Sequence, residues 1–357
     1  MSRMTRRLTL LTLFPLVLLA QLPPEKRSRI EQAISTEMSR NSIPGVSAAV
    51  ATGSTLKWAA GFGTADLENF VPVTASTVIR LGSISKPVTA VAVLQLVESG
   101  RIDLDAGIER YVPSMPAKQW PVTVRQLLGH LGGIRHYSGT EEMDSTRHYT
   151  DRIAPLKIFQ ADPLIAEPGT QYHYTSYGFN LLGAAVEIAS GMKFTDYIRE
   201  RIFMPARMEH IGPDDVYSII PHRARGYRLS AAKQIENCSL ADTSNKIPGG
   251  GLSATATDLV NFALAAKSGR LLKDETVRMM WTSQKLRDGT PTRYGMGWVS
   301  GEFEGRRTVG HGGGQQGTTT YLQLFPEEGI AFALMANLEA AKLTDMRDRI
   351  ARILLEP

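Results

Sequence analysis

Between Pro24 and Asn41, apolar residues fall at Ile30, Ala33, Ile34 and Met38, the spacing of one helical face, and predict an amphipathic helix. Two stretches with strand patterning follow, Gly45–Ala51 and Leu56–Gly61, and Gly53-Ser54 between them reads as a hairpin turn. From Ser83 to about Gly269 helical runs alternate with Pro- and Gly-rich loops. The strongest is Val88–Val97, apolar almost throughout and closed by Gly100. After Arg293 the strand pattern returns in Gly295–Val299, Thr318–Phe325 and Ile330–Met335, and Leu343–Leu355 reads as a last helix. The turn Pro326-Glu327-Glu328-Gly329 suits antiparallel neighbours. Both chain ends therefore contribute to one sheet. The expected fold class is α/β (α+β): an antiparallel sheet from both ends of the chain, flanked by terminal helices, with a mainly helical lobe inserted. The sheet lobe spans about 25–82 and 290–357, and the helical lobe about 83–289. No internal repeat or low-complexity linker interrupts it.

The 357 residues, 43% of them hydrophobic, suffice for a large core. Arg3, Arg6 and Arg7 precede the apolar run Leu8–Ala20, which Pro15 interrupts and which is short for a membrane span. Residues 1–20 therefore read as a signal peptide, and the mature chain is expected to be exported, periplasmic or secreted, with an uncleaved anchor as the alternative. The leader holds three arginines and no acid, so the formal net charge of +5 falls to 5 − 3 = +2 without it. With Lys and Arg dispersed, no nucleic-acid partner and no stable membrane span after cleavage are expected. Cys238 is the single cysteine and cannot form an internal disulfide.

Chemistry concentrates at Ser83-Ile84-Ser85-Lys86, where Gly82 turns into the strongest helix of the chain. Pro87, with its fixed φ, suits a first helical turn. A lysine three residues after a serine shares its helix face, so an amine kept partly neutral by apolar surroundings can take the hydroxyl proton. Ser-x-x-Lys recurs at Ser54/Lys57, Ser190/Lys193 and Ser230/Lys233. The first is a hairpin turn, the second a helix end and the third a polar stretch, so only Ser83 has a context fit for a nucleophile. There is no Gly-x-Ser-x-Gly elbow and no His-Glu-x-x-His helix, and the seven histidines are scattered singly. Gly312–Gly317 matches a dinucleotide fingerprint but is followed by a strand pattern instead of a helix. No metal or organic cofactor is expected.

Two further stretches carry candidate groups. Tyr172-His173-Tyr174-Thr175-Ser176-Tyr177-Gly178 leads into a predicted helix at Asn180–Ala189, and Gly310-His311-Gly312-Gly313-Gly314 would let a substrate approach a strand edge closely. A serine-lysine pair, a tyrosine and a glycine-flanked histidine on a late strand, in that order, resemble the penicillin-recognising serine hydrolases: class C β-lactamases, D,D-peptidases and related esterases. The stretches Arg125–Tyr137, Tyr174–Gly191, Pro248–Thr255 and Glu275–Trp281 extend the likeness over nearly everything after Glu25. Within that superfamily it is most similar to the mitochondrial serine β-lactamase-like branch of animals and its bacterial relatives.

The resemblance implies Ser83 as nucleophile, Lys86 as its base and Tyr174 as the proton shuttle to the leaving atom. It implies an oxyanion hole from the backbone N–H groups of Ser83 and Gly314, and substrate contacts at Ser176, His311, Gly312 and Gly313. Lys86 and an ionised Tyr174 both remain candidates for the acylation base. Two positions depart from the superfamily pattern. Its Tyr-x-Asn is Tyr174-Thr175-Ser176, and its Lys-Thr-Gly is His311-Gly312-Gly313, which replaces a permanent cation by a group charged only part of the time near neutrality. The expected function is an exported serine hydrolase working through an acyl-enzyme on an amide, peptide or ester, with a small-molecule or peptide substrate as its partner. The alternatives are a true class C-type β-lactamase or D,D-carboxypeptidase, and a catalytically weak binding or self-assembling scaffold. Oligomeric state is left open.

Overall fold

The computed structural model describes residues 21–357; the signal-peptide expectation for 1–20 falls outside them. Helix α1 (Pro24–Arg40) leads into strands β1 (Gly45–Thr52), β2 (Thr55–Asp66) and β3 (Val71–Pro72). The middle of the chain carries α2 (Ser85–Glu98), α3 (Ser176–Ser190), α4 (Ile247–Gly250) and α5 (Ala256–Lys267) among other helices, short strands and turns. Strands β4 (Val299–Phe303), β5 (Arg306–Gln315), β6 (Thr318–Phe325) and β7 (Ile330–Ala336) follow, and α6 (Thr344–Leu355) ends the fold. These seven strands form one antiparallel sheet in the order β3-β2-β1-β7-β6-β5-β4, in which β1 pairs β7 from Val46↔Ala336 to Thr52↔Ile330. No helix among the described residues is long and apolar enough to cross a membrane.

Both faces of the sheet are covered, which is why its central strand Ile330–Ala336 reads as an unbroken apolar run. Val46, Ala48 and Val50 on β1 and Phe332 and Leu334 on β7 pack with Ile30, Ile34, Met346 and Ile350 of the terminal helices. The alternate residues Ala49, Ala51, Ala331, Ala333 and Met335 face the helical middle of the chain, where α2 is buried all round from Ser85 to Leu94.

Two predicted elements shift. Gly295–Val299 is a tight turn and not a strand: Gly295 N–H donates to the Trp298 carbonyl at 2.7 Å, and Gly297 takes a φ of 78°. Its apolar character reflects complete burial of Met296 and Trp298, and the strand starts only at Val299. Helix α3 begins at Ser176, ahead of the predicted Asn180, because the Thr175 hydroxyl accepts the N–H groups of Tyr177 and Gly178 and caps it. This extra turn brings Ser176 and its neighbours to the base of the site.

One local feature sets the geometry of the cleft. Strand β4 pairs with β5 only from Arg306 to Gly310, so from His311 to Gln315 that edge of β5 carries no strand. The bare edge faces the Gly82–Ile84 turn at the mouth of α2.

Candidate active site

Gly82 makes the turn into α2 with a φ of 54°, and a Cβ on it would lie 2.8 Å from the Gly314 nitrogen. Only glycine therefore lets the chain at Ser83 approach the bare edge of β5 so closely. Across the same contact, a Cβ on Gly313 would stand 2.0 Å from the Leu81 carbonyl oxygen, whereas one on Gly314 would meet nothing within 4 Å. Packing thus requires glycine at 313, while the space beside Gly314 is open cleft.

Ser83 is half-buried at the end of this cleft, with its Oγ 3.1 Å from Lys86 Nζ. Lys86 is completely buried, and its Nζ also lies 3.0 Å from Ser176 Oγ and 2.6 Å from the Gly249 carbonyl oxygen. Burial pushes its pKa well below the ordinary lysine range, and the positive charge of Lys246 pushes the same way. The Tyr174 ring lies under this amine, centroid 4.7 Å from Nζ. Burial holds the Tyr174 phenol far above its usual pKa, although its contact with Ser83 pulls in the opposite direction. A phenol so placed is un-ionised.

His311 differs from its sequence expectation. It is buried, with Nδ1 2.6 Å from the Gly312 carbonyl oxygen and Nε2 2.8 Å from the Tyr294 hydroxyl. The consistent tautomer has Nδ1–H donating to the carbonyl and Nε2 accepting from the phenol. Burial, with Lys86 adding to it, lowers its pKa to about 3, so the imidazole is neutral throughout the physiological range and not partly charged. The residue read from sequence as a partial cation carries no charge.

All the sequence-derived groups converge. Ser83, Lys86, Tyr174 and Ser176 cluster at the helix mouth, and His311, Gly312, Gly313 and Gly314 line the facing strand. Ser176 is buried behind Lys86, its hydroxyl turned to the amine. Of the other Ser-x-x-Lys serines, Ser54 falls in the β1–β2 turn and Ser190 ends α3.

Several residues had no role assigned from sequence. His130 Nδ1 accepts the Thr175 N–H and His136 Nδ1 accepts the Ser176 N–H, each at 3.2 Å, so two histidines hold the start of α3. Burial keeps both neutral, His136 with a pKa of about 4. Tyr294 anchors His311, and Gly249 anchors Lys86. His130 and His136 lie in the Arg125–Tyr137 stretch and Gly249 in the Pro248–Thr255 stretch that carried the family resemblance, so a signal existed for them. Tyr294 follows an ordinary loop and had none. Among the described residues no group of three or more His, Cys, Asp or Glu side chains is arranged to hold a metal ion.

Comparison with known proteins bears on the same region. The family model described as Beta-lactamase matches residues 30–355. The mitochondrial serine beta-lactamase-like protein LACTB of Homo sapiens is 29% identical over 417 aligned positions, covering 86% of this chain and 76% of its own. Among solved structures, the octameric penicillin-binding protein homologue from Pyrococcus abyssi superimposes with a TM-score of 0.77 at 26% identity, over 92% of this chain and 77% of that one. The D-amino acid amidase from Ochrobactrum anthropi SV3 shares the fold, with a TM-score of 0.80 at 24% identity over 92% of this chain and 98% of that one.

Proposed function

The chain belongs to the beta-lactamase family of serine hydrolases, and on that premise we propose that it cleaves an amide, peptide or ester through an acyl-enzyme on Ser83, with Lys86 as base. One observation carries the reading: the Lys86 amine is completely buried and lies 3.1 Å from Ser83 Oγ. In its neutral form, with N–H groups donated to the Gly249 carbonyl and Ser176 Oγ, the amine has its lone pair free for the Ser83 hydroxyl proton. A phenol held far above its usual pKa cannot serve as base near neutrality, which supports Lys86 over an ionised Tyr174.

The steps follow from these groups. Lys86 takes the Ser83 proton as Oγ attacks the substrate carbonyl, and the oxygen that becomes negative sits between the backbone N–H groups of Ser83 and Gly314. Tyr174 passes a proton to the departing nitrogen or oxygen and is refilled by the Lys86 ammonium. Water then enters along the reverse route and frees the acyl group. Each group returns to its starting protonation state.

His311 offers a substrate carboxylate no counter-ion, because its imidazole is neutral and both ring nitrogens are engaged. This favours neutral amides, peptides and esters over penicillins and over D,D-carboxypeptidase substrates, whose free carboxylate needs a cation. Export is part of the proposal and rests on the arginines preceding Leu8–Ala20; N-terminal sequencing of secreted or periplasmic protein should begin near Gln21, and an intact Met1 on cytosolic protein would refute it. The hydrolase reading is tested by labelling with a fluorophosphonate and by a panel of esters, D- and L-aminoacyl amides and β-lactams. Modification confined to the peptide bearing Ser83, with turnover of neutral substrates, is the expected result. Turnover surviving in Ser83→Ala would refute it.

A further inference from the structure

Lys246 ends the turn Thr243–Lys246 and immediately precedes α4, the short helix whose Gly249 carbonyl is held by Lys86. Its side chain is buried, the residue being 3% exposed, yet burial and the neighbouring Arg80 charge lower its pKa only to about 8 against the pull of Asp144 and Asp214, so it is a cation at neutral pH. The ammonium donates to the Met143 carbonyl at 2.7 Å and lies 5.4 Å from the centroid of the Tyr137 ring. Both facing carboxylates are engaged elsewhere: Gln316 donates to Asp144, and Arg80 and Arg223 hold Asp214. Gln316 also donates to the Met143 carbonyl, at 3.2 Å, so that oxygen has a neutral partner without the lysine. A buried cation without a carboxylate in contact is costly, and its one hydrogen bond, to the Met143 carbonyl, is duplicated by Gln316.

The position of this charge gives it a use. Tyr137, beneath the ammonium, reaches Ser176, and Ser176 touches Lys86. Two lysines are thus gathered around one buried turn. We propose that Lys246 is a positioning residue for acyl transfer: its like charge, present near neutrality, keeps Lys86 in the unprotonated form that accepts the Ser83 proton.

This rests on the assignment of Ser83 and Lys86 above. The other titratable groups around Lys86 are Tyr174, His130, His136 and His311, all neutral near pH 7, so Lys246 is the charged neighbour. Around Lys246 itself stand Arg80, Asp144, Asp214 and Tyr137. Removing the Lys246 charge makes Lys86 more basic, so the acidic limb of kcat/KM must move to higher pH. Above about pH 8 Lys246 sheds its own proton and the wild type converges on the variant.

The test is kcat/KM for a neutral ester from pH 5 to 9 in wild type, Lys246→Met, Lys246→Arg and Ser83→Ala, with thermal melts of each. Lys246→Met should lose roughly three- to tenfold at pH 6, as expected for loss of a nearby like charge at an effective dielectric constant of ~20, and approach wild type at pH 9. Lys246→Arg should keep the wild-type limb. A Lys246→Met profile that superimposes on wild type, or is scaled equally at every pH, overturns the proposal. Should that variant not fold, Lys246→Gln replaces it, and failure of both to fold also overturns it by making the role structural. Activity persisting in Ser83→Ala would instead overturn the underlying reading.

Discussion

Adjacent glycines on the bare edge of β5 separate packing from catalysis. In Gly313→Ala the new methyl would sit 2.0 Å from the Leu81 carbonyl oxygen and 2.3 Å from Thr320 Oγ1, where real contacts stay above 3.0 Å. It would also wedge apart the 2.8 Å hydrogen bond those two oxygens share. Relief requires β5 to withdraw from the segment at Leu81 by roughly 1 Å (3.0 − 2.0), taking the Gly314 N–H away from Ser83. Overpacking of this kind costs about 1–3 kcal/mol and the lost hydrogen bond about 1 more, so melting should fall by roughly 3–6 °C for a chain of this size. A displacement of that size in the strand proposed to supply the oxyanion hole should cost kcat about 10²-fold. Gly314→Ala is the control, since its methyl meets nothing within 4 Å. It should melt like wild type and lose activity only through contact with the substrate. Differential scanning fluorimetry with ester kinetics on both variants is the assay. Wild-type melting and kcat in Gly313→Ala would refute the packing argument, and a destabilised Gly314→Ala would refute the open cleft beside Ser83.

Three other outcomes follow from the site. Ser83→Ala should abolish fluorophosphonate labelling, and Lys86→Met should cost on the order of 10³-fold or more in rate, because nucleophile and base act as a unit; single-turnover kinetics would show it. Tyr174→Phe should cost about 10²–10⁴-fold on an amide and much less on an activated ester, whose leaving group needs no proton; equal losses on both would remove the relay role. His136 and His311 bind protons near 6.5 when unfolded but only near 4 and 3 when folded. Stability should therefore be flat above pH 6.5 and fall as pH drops below it, by at most about 3 kcal/mol at pH 4 for buried His311; melts of His311→Gln should show a shallower decline, and an unchanged slope would refute its burial as a neutral group.

Sequence alone determined the features set by short-range spacing. The strand-like run at Gly45–Ala51, the turn at Pro326–Gly329 and the unbroken run at Val88–Val97 were enough to place a sheet from both ends around a helical insert. The pairing of Ser83 with Lys86 was equally legible, because a separation of three residues at a helix mouth fixes their distance almost regardless of what surrounds them. What those groups are as acids and bases was decided only by tertiary structure. Lys86 is neutral-leaning because chain 90 and 163 positions away, at Ser176 and Gly249, closes over it. His311, read from sequence as a partial cation, is neutral because Tyr294 and the surrounding sheet exclude water from it. The turn at Gly295–Trp298 was mistaken for a strand for a related reason: its hydrophobicity reports burial, and a burial pattern does not specify backbone direction. Spacing along a chain fixes which groups can meet, whereas a proton equilibrium depends on how much solvent the rest of the fold removes.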